Sequence, residues 1–159
     1  MNNNDIIRRI RYICDFSDSK MIDTFSAADE KVSRAEVSDW LKKDDDPAFQ
    51  KCKDIQLAMF LNGLINIKRG KKEGARPEPE KRLTNNIIFK KLRIAFNLKS
   101  EDILELMKSA GFPMNNPELS AYFRKPGHRN YIECKDQALR NFLKGLQLKH
   151  RPKTEESSE

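Results

Sequence analysis

The chain reads as an all-α protein built from two tandem homologous four-helix repeats packed as a pseudo-two-fold pair. Three observations carry this reading: an internal duplication, apolar residues at helical spacing in both copies, and cap residues at matching helix starts. Residues 3–69 align with 85–151 at a constant offset of 82 without a gap, and 17 of the 67 aligned positions are identical. Unrelated stretches of ordinary composition share roughly 4. Self-similarity at a fixed spacing sets the architecture before any local reading does. A copy of this length lies near the lower limit for a self-sufficient core, so the two copies are expected to bury surface against each other. The expected organisation is repeat one at 1–69, a linker at 70–84, repeat two at 85–151 and a disordered tail at 152–159.

The first helix of each repeat is read as opening at a doubled asparagine, Asn3-Asn4 and Asn85-Asn86, whose side chains can accept from the unpaired N–H groups of a first turn. Ile6, Ile7, Ile10, Ile13 and Cys14 follow at helical spacing, matched by Ile88, Phe89, Leu92, Ala95 and Phe96. The second helix opens at Asp18 or Ser100 and carries Met21, Ile22 and Phe25, or Ile103, Leu104 and Met107. In repeat two it ends at Gly111, the residue type best able to take a left-handed C-cap conformation. Ser33 with Glu36, and Asn115 with Glu118, have the spacing of a capping box and start the third helix. Its apolar side is Val37, Trp40 and Leu41, or Leu119, Tyr122 and Phe123.

The fourth helix has the clearest pattern. The tripeptide Cys-Lys-Asp precedes Leu57, Phe60, Leu61 and Leu64 in repeat one and Leu139, Phe142, Leu143 and Leu146 in repeat two, which sets four large apolar groups on one face. Asp54 and Asp136 are read as its N-caps. Gly63 and Gly145 lie inside it, where glycine costs about 1 kcal/mol relative to alanine. A glycine kept in both copies therefore points to the close approach of another backbone. Residues 70–83, rich in Gly, Pro and charge, read as a linker that lets the copies arrange themselves.

Charge is uneven. Residues 1–69 carry 12 Lys/Arg and 12 Asp/Glu, residues 70–82 carry 5 and 3, and residues 83–159 carry 14 and 9, so the excess of +7 sits in the linker and second repeat. Such a bias fits an acidic partner, nucleic acid included. No apolar run is long enough to span a bilayer and the first twenty residues are charged throughout, so no membrane association and a cytoplasmic location are expected. Cys14, Cys52 and Cys134 are odd in number, and no disulfide framework is expected.

The candidate chemistry narrows quickly. The chain has neither Cys-x-x-Cys nor His-x-x-x-His spacing, so no metal centre is expected. Asp44-Asp45-Asp46 lacks the alternating ligands and terminal glutamate of an EF-hand loop and reads as a solvated turn. Neither phosphate-cradling glycine motif occurs, and no cofactor is expected. Cys134 and His128 are not read as a nucleophile and base, because repeat one keeps the cysteine and lacks the histidine. A duplicated cysteine ahead of an apolar helix reads instead as a small packing residue. No enzyme is expected.

Two binding surfaces remain. The segment 102–110, the break at Gly111 and a helix from about Asn116 to Lys125 resemble a helix-turn-helix. Its second helix presents Asn116, Ser120, Arg124 and Lys125, followed by His128, Arg129 and Asn130, groups suited to phosphates and base edges of DNA or RNA. In repeat one the same helix carries Asp39 and runs into three aspartates, so repeat two is the expected binder. The alternative surface is Ile55 with Met59, apolar where repeat two has Gln137 and Asn141; it would serve a protein partner or a homodimer.

The paired motifs carry a family resemblance. Asn85, Asn86, Ile88, Leu92 and Arg93, then Glu118-Leu119-Ser120, then Cys134-Lys135-Asp136 with Leu139, Phe142, Leu143, Gly145 and Leu146, resemble the bacterial YehS-like family. Repeat one matches it through residues 49–54 and 60–64. The resemblance covers nearly all of the chain except the tail. It implies a duplicated helical domain of a bacterial cytoplasm and brings no catalytic residues with it.

Overall fold

The computed structural model describes residues 1–71, 73–74 and 77–152, and within them the protein is helical with no strand. Eight helices follow in order among the described residues: α1 Asn3–Cys14, α2 Asp18–Ser26, α3 Arg34–Leu41, α4 Asp54–Arg69, α5 Asn85–Ala95, α6 Ser100–Ser109, α7 Asn116–Tyr122 and α8 Asp136–His150. Four fall in each repeat, as expected. The linker reading at residues 72, 75 and 76, and the tail reading at 153–159, lie outside the described residues.

Packing divides the chain into a unit of Met1–Asn97 and a second unit beginning at Leu98. The first unit holds α1 to α4 and also α5, which packs along α4. Its core is the stripe read from the sequence: Ile6, Ile7 and Ile10 of α1, Met21 and Phe25 of α2, and Leu57, Phe60, Leu61 and Leu64 of α4 are all at most 2% exposed. Phe25 is central, its ring 5.6 Å from Trp40 and 5.5 Å from Phe60 at tilted angles that suit aromatic quadrupoles. Each such side chain contributes about 2 kcal/mol by leaving water.

The second unit is organised on α8, whose Leu139, Phe142, Leu143 and Leu146 are buried and which packs against α6. The two helix-interior glycines mark where backbones meet. A methyl group on Gly145 would stand 2.5 Å from the Leu106 carbonyl oxygen of α6, and one on Gly63 would overlap the Thr24 carbonyl oxygen of α2. Close approach is the reason for glycine at both places.

The capping boxes of α3 and α7 form as expected. The Glu36 amide donates to Ser33 Oγ and the Ser33 amide to Glu36 Oε1, both at 3.0 Å. Asn115 and Glu118 repeat the exchange at 2.9 and 3.1 Å. Gly111 takes φ +82° after α6, and its repeat-one mate Asp29 takes φ 61°. Both turns use the left-handed region, in which aspartate is among the better-tolerated side chains.

Four cap assignments are corrected. The N-cap of α1 is Asn2, whose Oδ1 accepts from the Asp5 amide at 2.8 Å, and that of α5 is Thr84, whose Oγ1 accepts from the Ile87 amide at 3.2 Å. Asn3 and Asn4 instead tie α1 to distant backbone. Asn4 Nδ2 donates to the Trp40 carbonyl at 2.9 Å and the Gln50 carbonyl at 2.8 Å, and its Oδ1 accepts from the Cys52 amide at 3.0 Å. Asn3 Nδ2 donates to the Cys52 carbonyl and to Asp54 Oδ1. The N-cap of α8 is Lys135, not Asp136, and in the same way that of α4 is Lys53, not Asp54. Asp54 is the first residue of α4, and its other oxygen accepts from the Leu83 amide at 2.8 Å, holding the end of the linker against this unit.

Candidate functional site

In the second unit, α7 and the loop after it enclose an open cleft of about 760 Å³. One side is α7: Asn116 and Ser120 lie a turn apart on its exposed face, with Arg124 just beyond its end. The other side is the returning loop with Arg129, Asn130, Tyr131 and Ile132. The loop is brought back by a turn in which the His128 amide donates to the Lys125 carbonyl at 3.0 Å, with Gly127 at φ +93°. It is then fixed to α7, as the Ile132 amide donates to the Ala121 carbonyl at 3.2 Å.

Five of the seven residues singled out for nucleic acid, Asn116, Ser120, Arg124, Arg129 and Asn130, thus line one cleft. Lys125 and His128 are exposed but do not line it. His128 has a local task, its Nδ1 accepting from the Asn130 amide at 3.0 Å, which sets that ring nitrogen as the acceptor and shapes the loop. The third helix is also shorter than expected. It ends at Tyr122 rather than near Lys125, because its last turn tightens, the Phe123 amide donating to the Ser120 carbonyl three residues back, and α3 closes in the same way through the Lys42 amide and the Asp39 carbonyl. Arg124 and Lys125 therefore sit on loop, not on a helix.

The electrostatics of this cleft set the two repeats apart. Among the described residues neither Arg124 nor Arg129 forms an ion pair, and the acidic lining residue, Glu118, has one oxygen engaged with the Asn115 amide. At the matching place in repeat one, Lys42 Nζ pairs with Asp39 at 3.2 Å and donates to Ser38 Oγ at 3.0 Å. Repeat two has Ala121 where repeat one has Asp39, so the carboxylate that occupies Lys42 has no counterpart beside Arg124. Arg34, the mate of Asn116, is likewise engaged with Asp18 at 3.6 Å and with Ser19 Oγ at 3.2 Å. Arg129 replaces Pro47.

Sequence reasoning missed the apolar part of the cleft. Pro117, Tyr131 and Ile132 line it, and Ile132 is 49% exposed where repeat one has Gln50. The exchange of Gln50 for Ile132 stood in the alignment, but an isolated apolar residue in a polar loop carries no periodic signal. Ile55 and Met59 are half-buried on α4. Their line continues along the helix to Asn62 and Asn66, both engaged: Lys91 Nζ of α5 donates to Asn62 Oδ1 at 2.5 Å, and Asn66 Nδ2 donates to the Ala27 carbonyl at 2.8 Å.

The cysteines are packing residues. Cys52 and Cys134 are buried, and burial pushes each thiol from 9.0 up to about 12; that of half-buried Cys14 rises to about 11 for the same reason. At neutral pH these groups are thiols rather than the nucleophilic thiolate. Among the described residues no three His, Cys, Asp or Glu side chains stand where they could hold one metal ion. No helix among them is long and apolar enough to cross a membrane.

A duplicated all-helical protein, in which the cleft of the second copy is lined by two arginines that form no ion pair among the described residues, is the class that fold and cleft define. The chain belongs to the family described as "Protein of unknown function (DUF1456)", whose model matches residues 3–70 and 85–151. It is similar to the "Uncharacterized protein YehS" of Escherichia coli (strain K12), with 46% identity over 147 residues, covering 92% of this chain and 94% of that one. No solved structure matches it.

Proposed function

We propose that this protein is a cytoplasmic, non-enzymatic nucleic-acid-binding protein, and that it binds DNA or RNA through the cleft of its second unit. The observation that carries the reading is the convergence on one cleft of two unpaired guanidinium groups with Asn116, Ser120 and Asn130. Arginine forks match phosphate oxygens, and amide side chains offer both a donor and an acceptor to a base edge. The surplus of cations in the second repeat supports the same partner by long-range attraction. Arg124 and Arg129 supply the electrostatic share of binding; Asn116, Ser120 and Asn130 supply the geometry.

The test is retention of mixed DNA and RNA oligonucleotides by the full chain at two salt concentrations. Binding through phosphates weakens as salt rises, with a logarithmic slope of about −0.7 to −0.9 per phosphate neutralised. Absence of binding even at low salt would reject the proposal.

A further inference from the structure

We propose that the cleft takes single-stranded rather than duplex nucleic acid, with one base turned out against Tyr131 and Ile132 and the flanking phosphates held by Arg124 and Arg129. This rests on the nucleic-acid reading above and names the form of ligand. The first reason is shape. Base edges of a duplex lie at the bottom of a groove and are read by an element that protrudes into it. Here the polar stripe of α7 is not a ridge: Asn116 and Ser120 form the wall of a concavity whose opposite wall is the loop of Arg129 to Ile132. A base reaches such a place only after leaving its stack, and single strands give their bases up at least cost.

The second reason is chemistry. A duplex presents mainly phosphate and sugar to a surface, and neither rewards an apolar contact. The base faces of a single strand do. The cleft offers Pro117, Tyr131 and Ile132 beside its arginines. Tyr131 is aromatic in both repeats, its mate being Phe49, and so belongs to the shared scaffold. Ile132 does not: it replaces Gln50, and it is 49% exposed in the repeat where Arg124 and Arg129 form no ion pair among the described residues. The third reason is size. A volume of about 760 Å³ lies within the range of pockets that enclose one small molecule, which suits one nucleotide and not a turn of duplex. With Lys42 occupied by Asp39, and Pro47 in place of an arginine, repeat one lacks these features, so one such site per chain follows.

The experiment is fluorescence anisotropy of a short labelled oligonucleotide, as single-stranded DNA, single-stranded RNA and blunt DNA duplex, titrated with the full chain at low salt. The single strand is expected to bind about tenfold more tightly than the duplex or better. Ile132→Gln, which installs the repeat-one side chain at an exposed position, should weaken single-strand binding roughly threefold to tenfold and leave duplex binding unmoved. A duplex bound as tightly as the single strand overturns the single-strand assignment and leaves the nucleic-acid reading standing. Loss of both ligands removes both. An Ile132→Gln chain that binds like the parent, with unchanged helicity, overturns the placement of the base.

Discussion

Asn4 spends its whole side chain on the fold. Fully buried, its amide serves two carbonyls and one amide N–H that come from α3 and the loop before α4. Truncation would leave the Trp40 carbonyl and the Cys52 amide buried without this partner, each such group costing about 1–3 kcal/mol, and would also remove the part-buried bond to the Gln50 carbonyl. Asn4→Ala is therefore expected to lower unfolding free energy by on the order of 3 kcal/mol or more, read from the urea midpoint. An effect within about 0.5 kcal/mol, the usual size for a surface change, would contradict the buried clamp. The Asn-Asn and Cys-Lys-Asp motifs were both legible, because the duplication exposed them. Their relationship was not, since capping is a local rule whereas the partners of Asn4 lie 36 to 48 residues away. The same thiols that pack in this region set a pH dependence. Folded Cys52 and Cys134 keep their protons to about pH 12, whereas the unfolded thiols lose theirs near 9.0. Below pH 9 both states are protonated and these groups add no slope; above it the unfolded state binds fewer protons, so stability falls as pH rises toward 12. The fall should be shallower in a Cys52→Ala, Cys134→Ala chain, and an identical alkaline slope would remove the thiols from the explanation.

At the scale of elements, glycine in α4 and α8 gives a prediction whose sign is the test. Gly→Ala inside an ordinary helix gains about 1 kcal/mol. Here the added methyl meets backbone of the neighbouring helix, which cannot swing aside as a side chain can. Gly63→Ala and Gly145→Ala should each destabilise, by roughly 1–3 kcal/mol, with Gly63 the worse because its methyl would overlap the Thr24 carbonyl. Thermal melts showing a gain at either position would mean that the helices are not in contact there. Starts of helices were well marked in the sequence, as Ser33 with Glu36 and Asn115 with Glu118 demonstrate. The end of α7 was not. Arg124 and Lys125 are good helix formers, and α3 stops within one residue of the equivalent place with no proline at the position of Pro126, so local propensity carries no mark of the end.

For the whole molecule, duplication acts as an internal control. Each copy keeps its leucine and phenylalanine stripe, its buried cysteine and its interior glycine, and these explain folding. Three of the differences between the copies meet at one cleft: Ala121 for Asp39, Arg129 for Pro47 and Ile132 for Gln50. Five lining residues were visible in the sequence as polar groups near a turn. The cleft itself was not, because it depends on the loop folding back to bond with Ala121. The contrast also makes Asp39→Ala informative. Removing that half-buried, solvent-accessible ion pair should change stability by less than about 1 kcal/mol, measured by urea unfolding, while leaving Lys42 without its carboxylate. A larger loss would show that the pair holds α3 together rather than merely neutralising it.

The affinity of the full chain and of its Arg124→Ala, Arg129→Ala variant for a labelled single strand, each at two salt concentrations, bears most directly on the role of the cleft. The parent should bind and weaken as salt rises. The variant should lose about tenfold or more, with a salt slope shallower by about 2 because two phosphate contacts are gone, and with unchanged helicity. Equal affinity and equal slope in parent and variant would place nucleic acid elsewhere on the molecule, and a parent chain that binds nothing at low salt would end the nucleic-acid reading.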